Sequence, residues 1–177
     1  MMQSYANMNM ETLLRGMAST RQKLLSEIEM LTDTEINMKP RRDKWSIMQV
    51  LHHLHLVEQF VTSAIVYALH KTERKVVPPK DLQTTIDRTR KREAPQQMQP
   101  TETLMKKAQM IQLLQSSREK LLHVLHSIVN EKELFEKSLK HPVFDELNLY
   151  QWVQFLDLHE QRHLTQLKEA KHAILQR

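Results

Sequence analysis

Residues 148–175 read NLYQWVQFLDLHEQRHLTQLKEAKHAIL. Leu149, Trp152, Leu156, His159, His163, Leu167, Ala170 and Ile174 recur at steps of three and four, which places them on one face of an α-helix. The spacing predicts a helix from Asn148 to about Leu175 whose stripe must be covered. Three further stripes can cover it. One runs from about Asn9 to Leu31 through Leu13, Leu14, Met17, Leu24 and Ile28; a second from Ser46 to about His70 through Ile47, Val50, Leu54, Val57, Val61 and Ile65; a third from about Thr101 to Asn130 through Leu104, Ala108, Ile111, Leu114, Leu121, Leu125 and Ile128. Amphipathic helices of this length bury their stripes against one another, so the fold class is all-α, a four-helix bundle in a single domain spanning 1–177. With 5% aromatic residues and a wealth of Leu, Met, Gln, Glu, Lys and Arg, no sheet is expected.

Two helix starts are marked locally. Ser46 with Gln49, and Asn148 with Gln151, have the spacing of a capping box, and Trp45 and Trp152 sit where helix-start packing is expected, Trp45 against Val50. Between the second and third helices lies a long Pro-interrupted connector, in the manner of a bundle crossover. Residues 71–92 hold Lys71, Arg74, Lys75, Lys80, Arg88, Arg90, Lys91 and Arg92 against Glu73, Asp81 and Asp87, and the rest of the chain is charge-balanced. The net charge of +5 therefore resides in this connector. Two readings follow, a solvated mobile loop or a lid that attracts anions. A nucleic-acid patch is disfavoured because the segment has no aromatic residue for base stacking.

Composition excludes several chemistries. Gly16 is the only glycine, so neither a phosphate-binding Gly-rich loop nor a serine-hydrolase nucleophile elbow can be written. There is no cysteine, hence no disulfide, thiolate ligand or thiol nucleophile. The start MMQSYANMNMETLLRGM lacks the basic-then-apolar pattern of a secretory signal, and no apolar run has membrane-spanning length. A cytoplasmic protein without membrane contact is expected.

Histidine carries the chemical signal. His159 and His163 sit one turn apart on a stripe otherwise made of Leu, Trp, Ala and Ile, pointing the same way, as two ligands of one cation require. Of the three histidines in LHHLHL (51–56), His53 shares its flank with Val50, Val57 and Phe60 and is the better third ligand; His52 and His55 are expected at the surface or rim, as are His70, His123, His126 and His172. Residues 159–163 also spell His-Glu-x-x-His, the zinc-protease signature. Its downstream extension fails here, because Gln166 and Glu169 stand where Gly and His are needed. Gln166 is placed to hydrogen-bond a ligand imidazole. Glu58 projects toward the core side of its helix, either as a structural carboxylate or as a site acid/base.

The runs KWSIMQVLHHL (44–54) and HPVFDELNLYQWVQFLDLHEQRHLTQL (141–167) resemble the DinB/YfiT-like superfamily of bacterial helical metalloproteins. The resemblance spans most of the chain in element order. It implies a metal triad of His53, His159 and His163, with zinc or nickel as the cofactor, and often a homodimer. Some members of this family are S-transferases using low-molecular-weight thiols such as bacillithiol. One departure is Asp145, where relatives commonly carry Gly; Asp tolerates a left-handed backbone better than most residues, so the turn is expected to survive. The function so implied is thiol S-transfer to a small electrophile at a three-histidine divalent-metal site, with Gln166 and Glu58 as candidate catalytic residues. A metallohydrolase of the same family and a non-catalytic metal-binding or sensor protein are the alternatives.

Overall fold

Helix α1 (Met10–Ile28) begins where Asn9 accepts a hydrogen bond from the Thr12 amide, 3.0 Å, and α3 (Ile47–His70) begins at the expected capping box, with Ser46 and Gln49 bonded reciprocally. A one-turn α2 (Asp33–Asn37) lies between them; α4 (Lys107–His126), α5 (Glu133–Glu136) and α6 (Leu149–Leu175) follow. The computed structural model describes residues 9–89 and 93–176. The long helices form a bundle in which α1 packs along α6, α6 along α3, and α3 along α4. No helix among the described residues is long and apolar enough to cross a membrane.

A two-stranded sheet corrects the expectation of none. Strands β1 (Ser138–His141) and β2 (Asp145–Asn148) pair antiparallel, with Leu139 opposite Leu147. The hairpin is made by local turn chemistry rather than by a long alternating pattern. His141 Nδ1 accepts from the amides of Val143 and Phe144, 3.1 and 3.2 Å, and Asp145 takes φ 61°, the left-handed conformation expected of it. Four-residue strands leave too little periodicity to be read in advance.

The helix bounds shift for similar reasons. α4 starts at Lys107 instead of Thr101, because Asn37 bonds both backbone groups of Met105 (2.8 and 3.2 Å) and Asp33 caps the Lys107 amide at 2.7 Å. Leu104 is consequently exposed, and Ile128 packs on the core from beyond the helix end. α1 stops at Ile28, short of Leu31, with the Lys107 ammonium donating to the carbonyls of Glu29 and Leu31 at 2.7 and 2.6 Å. At the start of α6, Asn148 caps the Gln151 amide at 2.8 Å, but the expected return bond is absent: the Gln151 side chain instead pins both backbone groups of Lys80.

The core divides into two apolar clusters, one around Met17, Val57, Leu121 and Leu156, the other around Leu24, Leu54, Leu114 and Leu164. Arg21, Arg118 and Glu160 fall between their helices' contributions to the two, and Glu58 of α3 follows directly on Val57. They form one buried ion cluster. Arg118 Nε donates to Glu58 at 2.6 Å and its NH2 to Glu160 at 2.7 Å; Arg21 Nε donates to Glu160 and its NH2 to Glu58 at 3.4 Å; Ser117 Oγ donates to Glu58 at 2.5 Å. Such clusters contribute little net stability yet are costly to break, which suits them to fixing helix register.

Candidate metal centre

His53 comes from the middle of α3, and His159 and His163 from adjacent turns of α6, where those two helices pack. His53 and His163 are buried and His159 is half-buried. Their candidate ligand atoms all lie within 4.8 Å of one another. His159 Nε2 is 3.2 Å from His163 Nε2 and 3.4 Å from His53 Nε2. Metal–nitrogen bonds of about 2.0–2.1 Å in tetrahedral geometry require nitrogen–nitrogen separations of about 3.3–3.4 Å. The two observed edges lie within about 0.1 Å of that requirement.

The outer partners fix which nitrogen points inward. His53 Nδ1 donates to the Met98 carbonyl at 2.7 Å, and His163 Nδ1 donates to Gln166 Oε1 at 2.9 Å. Both acceptors are oxygens, so both Nδ1 atoms carry the proton and both Nε2 lone pairs face His159. A proton on His159 Nε2 satisfies one of those neighbours at a time; a cation satisfies all three nitrogens together. Burial is the first cause holding all three imidazoles below the ordinary histidine pKa, His163 down to about 3 and His159 well below 6.5. Repulsion among the rings adds to the shift at His159 and His163, as do the nearby Arg162 and, for His163, Arg88. Neutral imidazole is the ligating form.

Trp45 is more than helix-start packing: its ring lies 5.1 Å from that of His53 and stacks at 6.5 Å on that of His163, covering one side of the cluster. Phe155 flanks His159 at 5.2 Å, and His141 packs against Phe155 at 4.5 Å. Trp152 is buried and donates to the Leu139 carbonyl.

The other sequence-predicted residues are distributed as follows. Gln166 reaches His163 as expected from its position one turn on. Glu58 does not join the triad's hydrogen bonds; its carboxylate is taken by Ser117, Arg118 and Arg21. His55, expected at the rim, is buried with Nδ1 donating to the Leu113 carbonyl at 2.9 Å, because α4 packs over that flank of α3. His52 accepts from the Thr101 amide at 3.1 Å.

The connector is not a loose solvated loop where it is described. Arg88 forms a bidentate pair with Glu169, 2.7 Å on both arms, Arg162 donates to the carbonyls of Thr85 and Asp87, and Arg74, Lys75 and Lys80 pair with Glu136, Glu146 and Asp145. Arg90, Lys91 and Arg92 lie outside the described residues. The Met98 carbonyl had no sequence signal, since any residue supplies one. Arg21 and Glu160 had one: each is a charge set between apolar core positions.

The profile of the DinB superfamily matches residues 17–167. The chain belongs to the DinB superfamily. A curated relative, the uncharacterized protein YuaE of Bacillus subtilis (strain 168), is 36% identical over 149 residues, covering 84% of this chain and 91% of YuaE. Among solved structures, the fold is similar to that of YfiT from Bacillus subtilis, described as a probable metal-dependent hydrolase with an unusual four-helix bundle topology (TM-score 0.66, 16% identity, 96% of this chain and 90% of that one). It is also similar to a conserved protein from Enterococcus faecalis (TM-score 0.67, 13% identity, 94% and 97%) and to the four-helix bundle protein TT2238 (TM-score 0.63, 18% identity, 91% and 99%). These likenesses establish the four-helix-bundle fold.

Proposed function

We propose that this DinB-superfamily chain is a metal-dependent enzyme in which His53, His159 and His163 hold one divalent cation, zinc or nickel, and that it transfers a low-molecular-weight thiol to a small electrophile. The observation that carries this reading is the convergence of three Nε2 atoms, two of them with their tautomer set by an outer acceptor. Three protein ligands leave a position open, where the cation would lower the pKa of a thiol or water and so supply a nucleophile at neutral pH. The chain's own residues do the rest. The Met98 carbonyl and Gln166 orient the imidazoles, and Trp45 shields His53 and His163 from water. Arg162 and Arg88 place positive charge beside His163, which favours an anionic thiol. Gln166 is thus a positioning residue, and Glu58 belongs to the ion cluster that registers the helices.

Hydrolysis at the same centre is the second reading, favoured by the description of YfiT. Metal analysis of the purified protein, followed by a screen of small electrophiles with and without bacillithiol-type thiols, tests both. Thiol-saturable turnover that is lost to chelator and restored by zinc or nickel supports S-transfer. Thiol-independent turnover with the same metal dependence moves the assignment to hydrolysis, and turnover that survives metal removal refutes the site.

A further inference from the structure

The bundle is closed along α1–α6, α6–α3 and α3–α4, but α4 and α1 stand apart. Between them runs a groove of about 340 Å³ lined by Leu14, Met17, Leu25 and Leu122, with Arg21 and Arg118 at its floor; a smaller cavity of about 200 Å³ continues it past Leu114. The walls of the groove are mostly apolar, with Gln22 at one edge, while Gln115 and Glu119 line the smaller cavity. The floor presents cations, because the guanidinium side chains of Arg21 and Arg118 keep 11% and 12% exposure while the carboxylates of Glu58 and Glu160 behind them keep 3%.

The hydrogen-bond inventory points the same way. A guanidinium has five N–H donors. Arg118 directs one to Glu58, one to Glu160 and one to the Met17 carbonyl, at 2.6, 2.7 and 3.3 Å. Arg21 is more fully used, by Glu160, Glu58 and the Leu114 carbonyl. Among the described residues, Arg118 therefore retains two donors and Arg21 one, at the base of an apolar slot. A neutral apolar ligand would leave those donors bare, which is costly once water is expelled. An anionic head with an apolar tail satisfies both the floor and the walls.

We propose that the α1–α4 groove binds an amphipathic organic anion, a medium-chain alkyl carboxylate. Its head group takes the free N–H groups of Arg118 and Arg21, and its chain runs from them along Met17, Leu14 and Leu122. At about 30 Å³ per non-hydrogen atom the groove holds roughly ten such atoms, the size of octanoate. The proposal is independent of the triad, which lies between α3 and α6.

Calorimetric titration of the full chain with octanoate tests it. One saturable site per chain is expected, with 1-octanol binding at least tenfold more weakly. Ala18→Trp, at the exposed wall of the groove and away from the ion cluster, should abolish binding while leaving the unfolding midpoint and metal content unchanged; Leu122→Glu should also abolish binding, by setting a charged group in the wall that holds the alkyl chain. Arg118→Met should weaken binding at least tenfold if it folds. The absence of saturation at millimolar octanoate, equal affinity for octanol, or undiminished binding by both groove variants would overturn the proposal. So would a wild-type dimer that Ala18→Trp converts to monomer and octanoate leaves intact, which would assign the groove to a second copy of the chain.

Discussion

Glu58→Gln separates the two roles that a buried carboxylate on α3 can have. In the structure this carboxylate accepts from Ser117 Oγ at 2.5 Å, from Arg118 Nε at 2.6 Å and from Arg21 NH2 at 3.4 Å. Amide replacement keeps the shape but leaves two guanidinium groups sharing Glu160, and it turns an acceptor into a donor toward at least one of them. Removing one partner of a buried ion cluster costs about 3–5 kcal/mol. For a chain of this size, at roughly 2–4 °C per kcal/mol, that lowers the thermal midpoint by about 6–20 °C. Thermal and urea unfolding of the metal-free protein, followed by circular dichroism, measures the loss. Divalent-metal affinity, read separately at a temperature where the variant is folded, should be unchanged, because the triad's hydrogen bonds do not include Glu58. A variant with wild-type stability whose turnover collapses would refute this reasoning and restore Glu58 as an acid/base at the site.

The other expectations concern the triad. His163→Ala should abolish tight zinc or nickel binding, whereas His55→Ala should keep it and lose stability, since only the Leu113 carbonyl is left unpaired; equilibrium dialysis of both variants decides, and full retention by His163→Ala sinks the assignment. Gln166→Leu leaves the three ligands in place and removes only the acceptor on His163 Nδ1, so metal affinity should fall about 10–100-fold without loss of stoichiometry, and Gln166→Glu should restore it. The metal-free protein should lose stability as pH falls. Folded pKa values of the triad lie below the unfolded value near 6.5, so as pH falls below about 6.5 the unfolded chain binds protons that the folded chain refuses; for His163 this window runs down to about pH 3 and costs up to about 1.4 kcal/mol per pH unit. Above pH 6.5 these groups contribute no slope; His163→Ala should have a shallower acid limb than the parent, and equal limbs would contradict the burial argument.

The sequence by itself determined the four long helices, the caps at Ser46 and Asn148, and the pairing of His159 with His163, because each is written in spacings of three or four residues within one helix. It also narrowed the third ligand to His53, since the flank of α3 that faces inward is legible from the apolar residues sharing it. What it could not determine depends on which elements pack over which. His55 is buried because α4 crosses its flank, and the connector is fastened because Glu169 and Arg162 of α6 meet it, contacts between residues some 75–81 positions apart. The hairpin of β1 and β2 rests on the His141 ring accepting two turn amides, a local bond with no periodic signature. Only the assembled bundle brings Arg21, Glu58, Arg118 and Glu160 into one cluster, and only there does the Met98 carbonyl meet His53. Periodicity decides which face of a helix is buried; the partners of that face are decided by how the four helices share one interior.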